Sequence, residues 1–380
     1  MTALLWRFGA LSWLVVWLAL GAAPAQSAGD CQLYSLMNAR LGLMRDVAAY
    51  KWHKQLVIED EAREAEVVAR SVADALRVSL EPEAARAFFR AQIEAAKAVQ
   101  RFWFARWSAG ESPPPAKTVP DLATVIRPQL LELGRQIVAA TTEDHACHGR
   151  NLLDVRVDVV GLRAADKSAL FAATSGLSFF ANRLQQVRAT GQLRIGTTGD
   201  YAPFSHRTNA EQPFVGVDID MARDLAAALE ATPVFVHTSW PELMVDLADG
   251  AFDVGMSGVS VTAERQRMAF FTSPYYSGGK TPIARCAEVE RFASLADIDR
   301  PGVRVIVNPG GTNERFVTQN VRSAQILQYP DNRSIFLEII AGRADVMITD
   351  RIEVQLQSAR HPELCATMAA NLNRQDKAYI

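Results

Sequence analysis

The periodicity of the sequence changes once, near residue 191, and that change decides what the chain can fold into. Upstream, apolar residues recur at helical spacing, and no strand-like alternation appears before about residue 152. Leu33, Leu36, Met37, Leu41 and Met44 form one such series. Further helices are predicted from Asp60 through Leu76, from Pro82 to Trp107 with the proline in the first turn, and from Leu122 to Ala140. The run Glu111-Ser-Pro-Pro-Pro-Ala116 breaks the pattern between the last two. Downstream, short apolar runs alternate with helical ones. Strands are predicted at Leu193–Thr197, Phe214–Ile219, Pro233–His237 and Phe252–Met256, and helices at Met221–Leu229 and Glu242–Ala248. Such alternation builds an α/β domain on a largely parallel sheet. The predicted fold is multidomain: an all-α half over residues 31–150, an α/β half over 191–380, and between them (151–190) the last helices plus a connector ending in Arg183–Arg188.

A chain of 380 residues, 49% hydrophobic and 22% charged, gives each half enough apolar surface for its own core. With a net charge of −2 and no basic block, nothing in it calls for nucleic acid. The first residues read as an address. Arg7 precedes the apolar stretch Phe8–Leu20, and the small residues that follow include Ala23-Pro-Ala25, so residues 1–25 are expected to be a secretory signal peptide. An uncleaved anchor is the alternative, because the stretch is almost long enough to span a bilayer. Gly29-Asp30 before Cys31 is a poor lipidation signal. Export to the periplasm favours disulfides among Cys31, Cys147, Cys286 and Cys365. Three pairings are possible; one bridge per domain, Cys31–Cys147 and Cys286–Cys365, is the simplest. The spacing of His145-Ala-Cys147-His148 matches no standard zinc site and no dinucleotide motif occurs, so neither metal nor cofactor is expected.

The helical half carries inward cations. Arg40 and Lys51 are separated by almost a whole number of turns and share a face. Ile58-Glu-Asp60 turns the chain, and Arg63 with Glu64 opens the next helix. Gln92, Ala96 and Gln100 follow one another at intervals of four. This array makes a poor core but a suitable cavity for a small dianion: arginine forks grip carboxylates, and glutamine can donate to an ether or hydroxyl oxygen. By spacing alone, snorkelling surface cations explain the pattern more economically.

The ordered run Ala39-Arg40-Leu41, Val47-Ala-Ala-Tyr-Lys51-Trp52, Ile58-Glu-Asp60, Arg63 and Phe89-Arg-Ala-Gln92-Ile-Glu-Ala95 resembles the exported subclass of the all-helical chorismate mutases, over residues 33 to about 145. The resemblance implies that Arg40, Lys51 and Arg63 hold the substrate's carboxylates. It further implies that Lys51 and Gln100 contact its ether oxygen, that Asp60 and Glu64 reach its hydroxyl, and that the helical half forms a homodimer. Two departures stand out. Ala96 replaces the family's Ser or Thr, and Leu133-Gly-Arg135-Gln136 stands where Leu-Asn-x-Arg is expected, so the last-helix arginine is either shifted to Arg135 or replaced by Gln136. The implied reaction, chorismate to prephenate, is pericyclic. It needs the reactive conformer held and the charge developing on the ether oxygen stabilised, with no acid, base or nucleophile.

In the second half, Gly199-Asp-Tyr-Ala-Pro-Phe204, Val215-Gly-Val-Asp-Ile-Asp220, the segment Gly250 to Ser260, Thr262-Ala-Glu-Arg265 and Phe271-Thr-Ser-Pro-Tyr275 resemble the type II periplasmic amino-acid-binding proteins. That implies a carboxylate clamp of Arg265 with Ser257, Ser260 and Thr312, and Asp350 as receiver of an α-amino group. A denser set resembles the cyclohexadienyl dehydratases, enzymes built on the same frame: Thr197 to Phe204 with Asp200, Thr238-Ser-Trp-Pro241, Gly279-Lys-Thr-Pro-Ile283, Asn308 to Glu314, Pro330-Asp-Asn332, Thr349-Asp-Arg-Ile-Glu353 and His361 to Cys365. Those enzymes remove water and carbon dioxide from prephenate or arogenate, giving phenylpyruvate or phenylalanine. Dehydration needs a proton donor at the departing hydroxyl. Glu353, three residues after Asp350, is the candidate, with its pKa raised by an enclosed cleft beside Asp350. Lys280 either holds a second carboxylate or is a hinge-surface lysine. The chain ends in a predicted strand, Lys377-Ala-Tyr-Ile380, where the resemblance implies further helices, so a C-terminally truncated domain is expected. The expected function is a bifunctional exported enzyme acting on small carboxylates. The alternatives are a mutase with an inactive dehydratase remnant, or an amino-acid-binding protein with a degenerate helical domain.

Overall fold

The computed structural model describes residues 31–143 and 149–380. The expected signal peptide and the segment containing His145, Cys147 and His148 lie outside the described residues.

The first half is helical throughout: α1 (Gln32–Gly42), α2 (Met44–His53), α3 (Glu61–Ala75), α4 (Pro82–Ser108), α5 (Arg127–Glu143), α6 (Arg150–Arg156), α7 (Ala164–Ser175) and α8 (Arg183–Thr190). The series predicted as one helix from Leu33 is two, separated at Leu43. Asp60 caps α3 by accepting from the Arg63 amide at 3.1 Å, and the Glu64 carboxylate accepts from the Asp60 amide at 3.3 Å. This reciprocal cap fixes where Arg63 and Glu64 emerge. Helix α4 is the spine. Its buried residues Phe88, Phe89, Gln92, Ala95, Ala96, Val99 and Gln100 recur at helical spacing, and α2, α3 and α7 pack on it.

The second half has two lobes. The first contains β1 (Gln192–Thr197), β2 (Asp200–Tyr201), β3 (Ser205–His206), α9 (Val217–Ala228), β4 (Thr232–His237), α10 (Leu243–Ala248), β5 (Val254–Gly255) and α11 (Ala263–Gln266). Its parallel sheet has the order β4-β1-β5. The chain then crosses by β6 (Tyr276–Gly278) into the second lobe. There lie β7 (Lys280–Arg285), α12 (Leu295–Ile298), β8 (Arg304–Val307), α13 (Thr312–Asn320), β9 (Gln325–Gln328), α14 (Ile335–Ile340), β10 (Val346–Asp350), α15 (Arg351–Arg360) and β11 (Leu364–Ala366). That sheet runs β11-β7-β10-β8-β9, with β7 antiparallel to both neighbours. The return crossing, β12 (Gln375–Lys377), pairs with β6, after which Ile380 exchanges backbone hydrogen bonds with Gly255 of the first lobe. The Cys286–Cys365 disulfide joins the end of β7 to β11. Cys31 is also disulfide-bonded, and its expected partner Cys147 lies outside the described residues. Among the described residues no helix is long and apolar enough to cross a membrane.

The strand predicted at Phe214–Ile219 is corrected: only Val215 bridges, to His206, and α9 begins at Val217. Gly216 adopts a φ of 131° with the Phe204 carbonyl 2.4 Å from where a Cβ would stand, so the chain turns there and Val217 and Ile219 become helical. A six-residue apolar run cannot separate the two readings by periodicity. The halves meet at Arg183 of α8, which donates to the Leu76 and Arg77 carbonyls at 2.8 and 2.7 Å at the C-terminal end of α3 and lies 3.9 Å from the Asp253 carboxylate of the first lobe.

Candidate active sites

The helical half encloses a cavity of about 160 Å³ between α1, α2, the start of α3, α4 and α5. Arg40, Lys51, Asp60, Arg63, Glu64 and Gln100 all line it. Arg40 is 7% exposed, its Nη1 has no hydrogen-bond partner, and burial pulls its guanidinium down to about 10. Lys51 donates to the Ile58 carbonyl at 2.7 Å; burial lowers its pKa, while Asp60, Glu64 and Glu59 oppose the shift. Gln100 is buried, donates to the Ala96 carbonyl at 3.2 Å, and leaves its own Oε1 unpartnered. Unmatched buried polar atoms of this kind are costly unless something binds them. Glu64 is held by Lys97 at 2.9 Å, and Arg63 reaches Glu66 at 2.6 Å near the surface.

Arg135 is a correction. It is exposed, pairs with Glu132, and lines a separate groove of about 1020 Å³ between α3, α5 and α10; Gln136 is exposed too and bonds to Glu132. The arginine of α5 that faces the cavity is Arg127, two turns earlier. Eight residues advance a helix by about 800°, roughly 80° past two full turns, so Arg127 and Arg135 stand on different faces. One signal was available in the sequence: a cation in the first turn of a helix opposes the macrodipole, and so calls for another role.

The second site lies between the lobes, where Tyr201, Trp240, Ser260, Asn308, Thr312, Asn313, Asn332, Asp350 and Lys377 surround a cavity of about 20 Å³. Asp350 ends β10 at the N-cap position of α15, with its carboxylate turned away from the helix amides. Its Oδ1 accepts from the Lys280 ammonium at 2.8 Å; its Oδ2 accepts from Lys377 at 2.6 Å and from the Tyr201 hydroxyl. Burial alone would raise this carboxyl, but Lys280 and Lys377 hold it well below the usual carboxylate range. Lys280 also donates to Thr312 Oγ1 at 2.9 Å and Asn313 Oδ1 at 2.5 Å, and burial pulls it down to about 8. Its full burial rules out the hinge-surface alternative. One turn into α15, Glu353 is 1% exposed and accepts from the Thr349 hydroxyl. Burial, reinforced by the charge of Asp350, pushes it up to about 8, so it carries a proton at neutral pH.

The remaining predicted residues surround this network. Ser260 accepts from Lys377 at 2.8 Å. Arg265 is 4% exposed, donates to the Ser260 carbonyl at 3.1 Å, lies 5.9 Å from the Trp240 ring, and is pulled down to about 10 by burial; its neighbours Ser260 and Trp240 line the cavity. Ser257 is braced by the Thr198 amide at 3.1 Å and hydroxyl at 2.8 Å and does not line the cavity. Asp200 accepts from the Trp240 indole at 3.2 Å, and burial raises its pKa. The sequence reading missed Lys377, Tyr201 and Asn313. Lys377 left one trace, a cation beside the apolar end Ala378-Tyr-Ile380.

A cation-lined helical cavity followed by a two-lobed cleft defines a solute-binding frame carrying a mutase-like domain, and comparison with known proteins agrees. The family "Bacterial extracellular solute-binding proteins, family 3" matches residues 193–289, and "Chorismate mutase type II" matches residues 27–101. The cyclohexadienyl dehydratase of Pseudomonas aeruginosa is 51% identical over 209 residues, covering 55% of this chain and 78% of that protein. The chain belongs to the cyclohexadienyl dehydratase family, with a type II chorismate mutase domain fused ahead of it. More distant is the ABC transporter arginine-binding protein 1 of Escherichia coli, 26% identical over 46% of this chain and 70% of that protein. Among solved structures, an ancestral amino acid-binding protein described as a precursor of cyclohexadienyl dehydratase is 30% identical, covering 52% of this chain and 85% of that one, with a TM-score of 0.48.

Proposed function

We propose that the chain is a bifunctional exported enzyme of phenylalanine biosynthesis. The helical cavity rearranges chorismate to prephenate. The cleft then removes water and carbon dioxide from prephenate or arogenate, giving phenylpyruvate or phenylalanine. In the cavity, Arg40, Arg63 and Arg127 hold the carboxylates, Lys51 and Gln100 meet the ether oxygen as charge builds on it, and Asp60 and Glu64 face the hydroxyl. In the cleft, Glu353 gives its proton to the ring hydroxyl, which leaves as water. The electrons of the breaking bond to the carboxylate carbon flow into the ring, which becomes aromatic as carbon dioxide departs. Arg265, Lys280, Ser260 and Thr312 orient the anionic substrate, with Ser257 and Asp200 bracing the walls.

The observation that carries this reading is a fully buried Glu353, its carboxyl pushed up by that burial, beside an Asp350 that already holds two ammonium groups. An amino-acid-binding protein needs that aspartate for its ligand's ammonium, and here two lysines occupy it. A disulfide in the second lobe suits an oxidising compartment, which supports export to the periplasm; a homodimer through the helical half follows from the mutase resemblance.

The test is a coupled assay on the purified chain, following chorismate loss and phenylpyruvate gain together. Both signals are expected. Prephenate accumulation without phenylpyruvate would reduce the second half to an inactive remnant, and untouched chorismate in a folded sample would remove the mutase assignment.

A further inference from the structure

Lys377 stands where the return crossing between the lobes meets the cleft. Its backbone is fixed by β12–β6 pairing opposite Tyr276, and its side chain is fully enclosed. Its ammonium donates to Ser260 Oγ at 2.8 Å, in the first lobe, and to Asp350 Oδ2 at 2.6 Å, in the second. The Tyr201 ring centre lies 4.9 Å away, a cation–π distance. Since the Tyr201 hydroxyl shares that carboxylate oxygen, Lys377 and Tyr201 together draw the lobes down onto a space of about 20 Å³. Such a space takes about one water molecule. A six-membered ring bearing two carboxylates enters only if both residues part from Asp350. An ammonium parted from its anion while still buried needs another anion at once, and the substrate brings two.

We propose that Lys377 is an exchangeable latch, tying Ser260 to Asp350 across the closed cleft and transferring to a substrate carboxylate when the substrate binds. This rests on the dehydratase reading above. The groups facing Glu353 are Thr349 and Asp350 on β10, Lys280 on β7, Asp200 and Tyr201 on β2, and Lys377 through Asp350. On transfer, Asp350 keeps only Lys280, and the substrate adds negative charge. Both changes favour the protonated form of Glu353, so the bound substrate strengthens the acid's hold on its proton until the hydroxyl departs.

The experiment measures prephenate turnover by the full chain with Lys377→Met and Lys377→Arg. The Met variant keeps the length and loses the charge; its KM should rise about 30-fold or more, the scale for truncating one partner of a buried charge pair. The Arg variant should recover most of the loss, and chorismate consumption by the same samples should match the unsubstituted chain. A KM within twofold of the original for a folded Met variant overturns the latch. The unsubstituted chain decides the matter independently of folding: the alkaline limb of kcat should lie about one pH unit above that of kcat/KM, and coincident limbs overturn the proposal. A chain that turns over neither prephenate nor arogenate overturns the dehydratase reading itself, a distinct result.

Discussion

In the helical cavity Arg40 keeps a guanidinium nitrogen without a partner, and Gln100 an amide oxygen; in the cleft Lys280 and Lys377 divide one aspartate between them. The first arrangement is preorganised around Arg40: its buried guanidinium already has a free nitrogen at the cavity wall, and no ion pair there must break for an anion to reach it. The second is self-neutralised, and binding there requires exchange of partners. The difference follows the chemistry. A pericyclic rearrangement asks only for a shaped electrostatic cradle. Dehydration asks for a proton at neutral pH from a carboxylic acid, so the cleft is built to bury one.

The comparison breaks first at Glu353. Glu353→Gln keeps the shape and removes the proton, so phenylpyruvate formation from prephenate should fall about 10²–10⁴-fold, the usual contribution of general acid catalysis. Chorismate consumption should not change. Equal loss of both rates would mean that the cavities are not independent.

The converse substitutions are Arg40→Ala and Lys51→Ala. Truncating a buried charged contact costs about 2–5 kcal/mol, so mutase kcat/KM should fall roughly 30-fold to a few thousand-fold. Turnover of supplied prephenate should stay the same. If Arg40→Ala is silent, its unpartnered nitrogen has no bearing on the substrate.

Smaller but diagnostic is the separation of the pH profiles. In the proposed mechanism Glu353 acts protonated, so the dehydratase kcat/KM should be present below its pKa and lost as pH rises through about 8; Lys280, drawn down to about 8, loses its charge over the same range and acts in the same direction. The mutase has no carboxylic acid to lose. Its alkaline limb comes from Lys51, which burial lowers and three carboxylates support. Between pH 7 and 9 the dehydratase kcat/KM should therefore decline by about tenfold or more while that of the mutase declines less. Superimposed profiles would show that one shared group governs both.

Much of this contrast was legible in the sequence, but unevenly. The multidomain fold followed from the change in periodicity, because helical and strand periods differ over any stretch of ten or more residues. Arg40, Lys51, Arg63 and Gln100 were named through the resemblance to the helical mutases; their spacing alone read as snorkelling surface cations, because four helices must pack before those side chains share one cavity. Phe214–Ile219 was not, because a glycine at positive φ turned a six-residue apolar run from strand to helix. Arg127 was missed because the family pattern Leu-Asn-x-Arg aligns with Leu133-Gly-Arg135-Gln136, eight residues later, and a face 80° away looks equivalent in one dimension. Lys377 was missed for a deeper reason: it contacts Asp350, 27 residues earlier, and Ser260, 117 residues earlier, and no local pattern encodes that meeting.

The smallest expected effect concerns a residue that makes no polar contact with its side chain. Ala96 lines the helical cavity one turn before Gln100, at the position where the resemblance to the helical mutases implies a hydroxyl. Ala96→Thr adds a hydroxyl and a methyl to the wall of a cavity of about 160 Å³, on a helix whose carbonyl at Ala96 already accepts from Gln100. A hydrogen bond gained in a buried site contributes about 0.5–1.5 kcal/mol, so kcat/KM for chorismate should rise about two- to tenfold. The β-branched side chain costs some helix propensity, about half a kcal/mol, which shifts stability rather than chemistry. Chorismate kinetics at fixed pH, with a melting curve on the same sample, separate the two. A rate that falls while the melting temperature holds would mean that the added methyl crowds the reactive conformer, and that the alanine is there to make room.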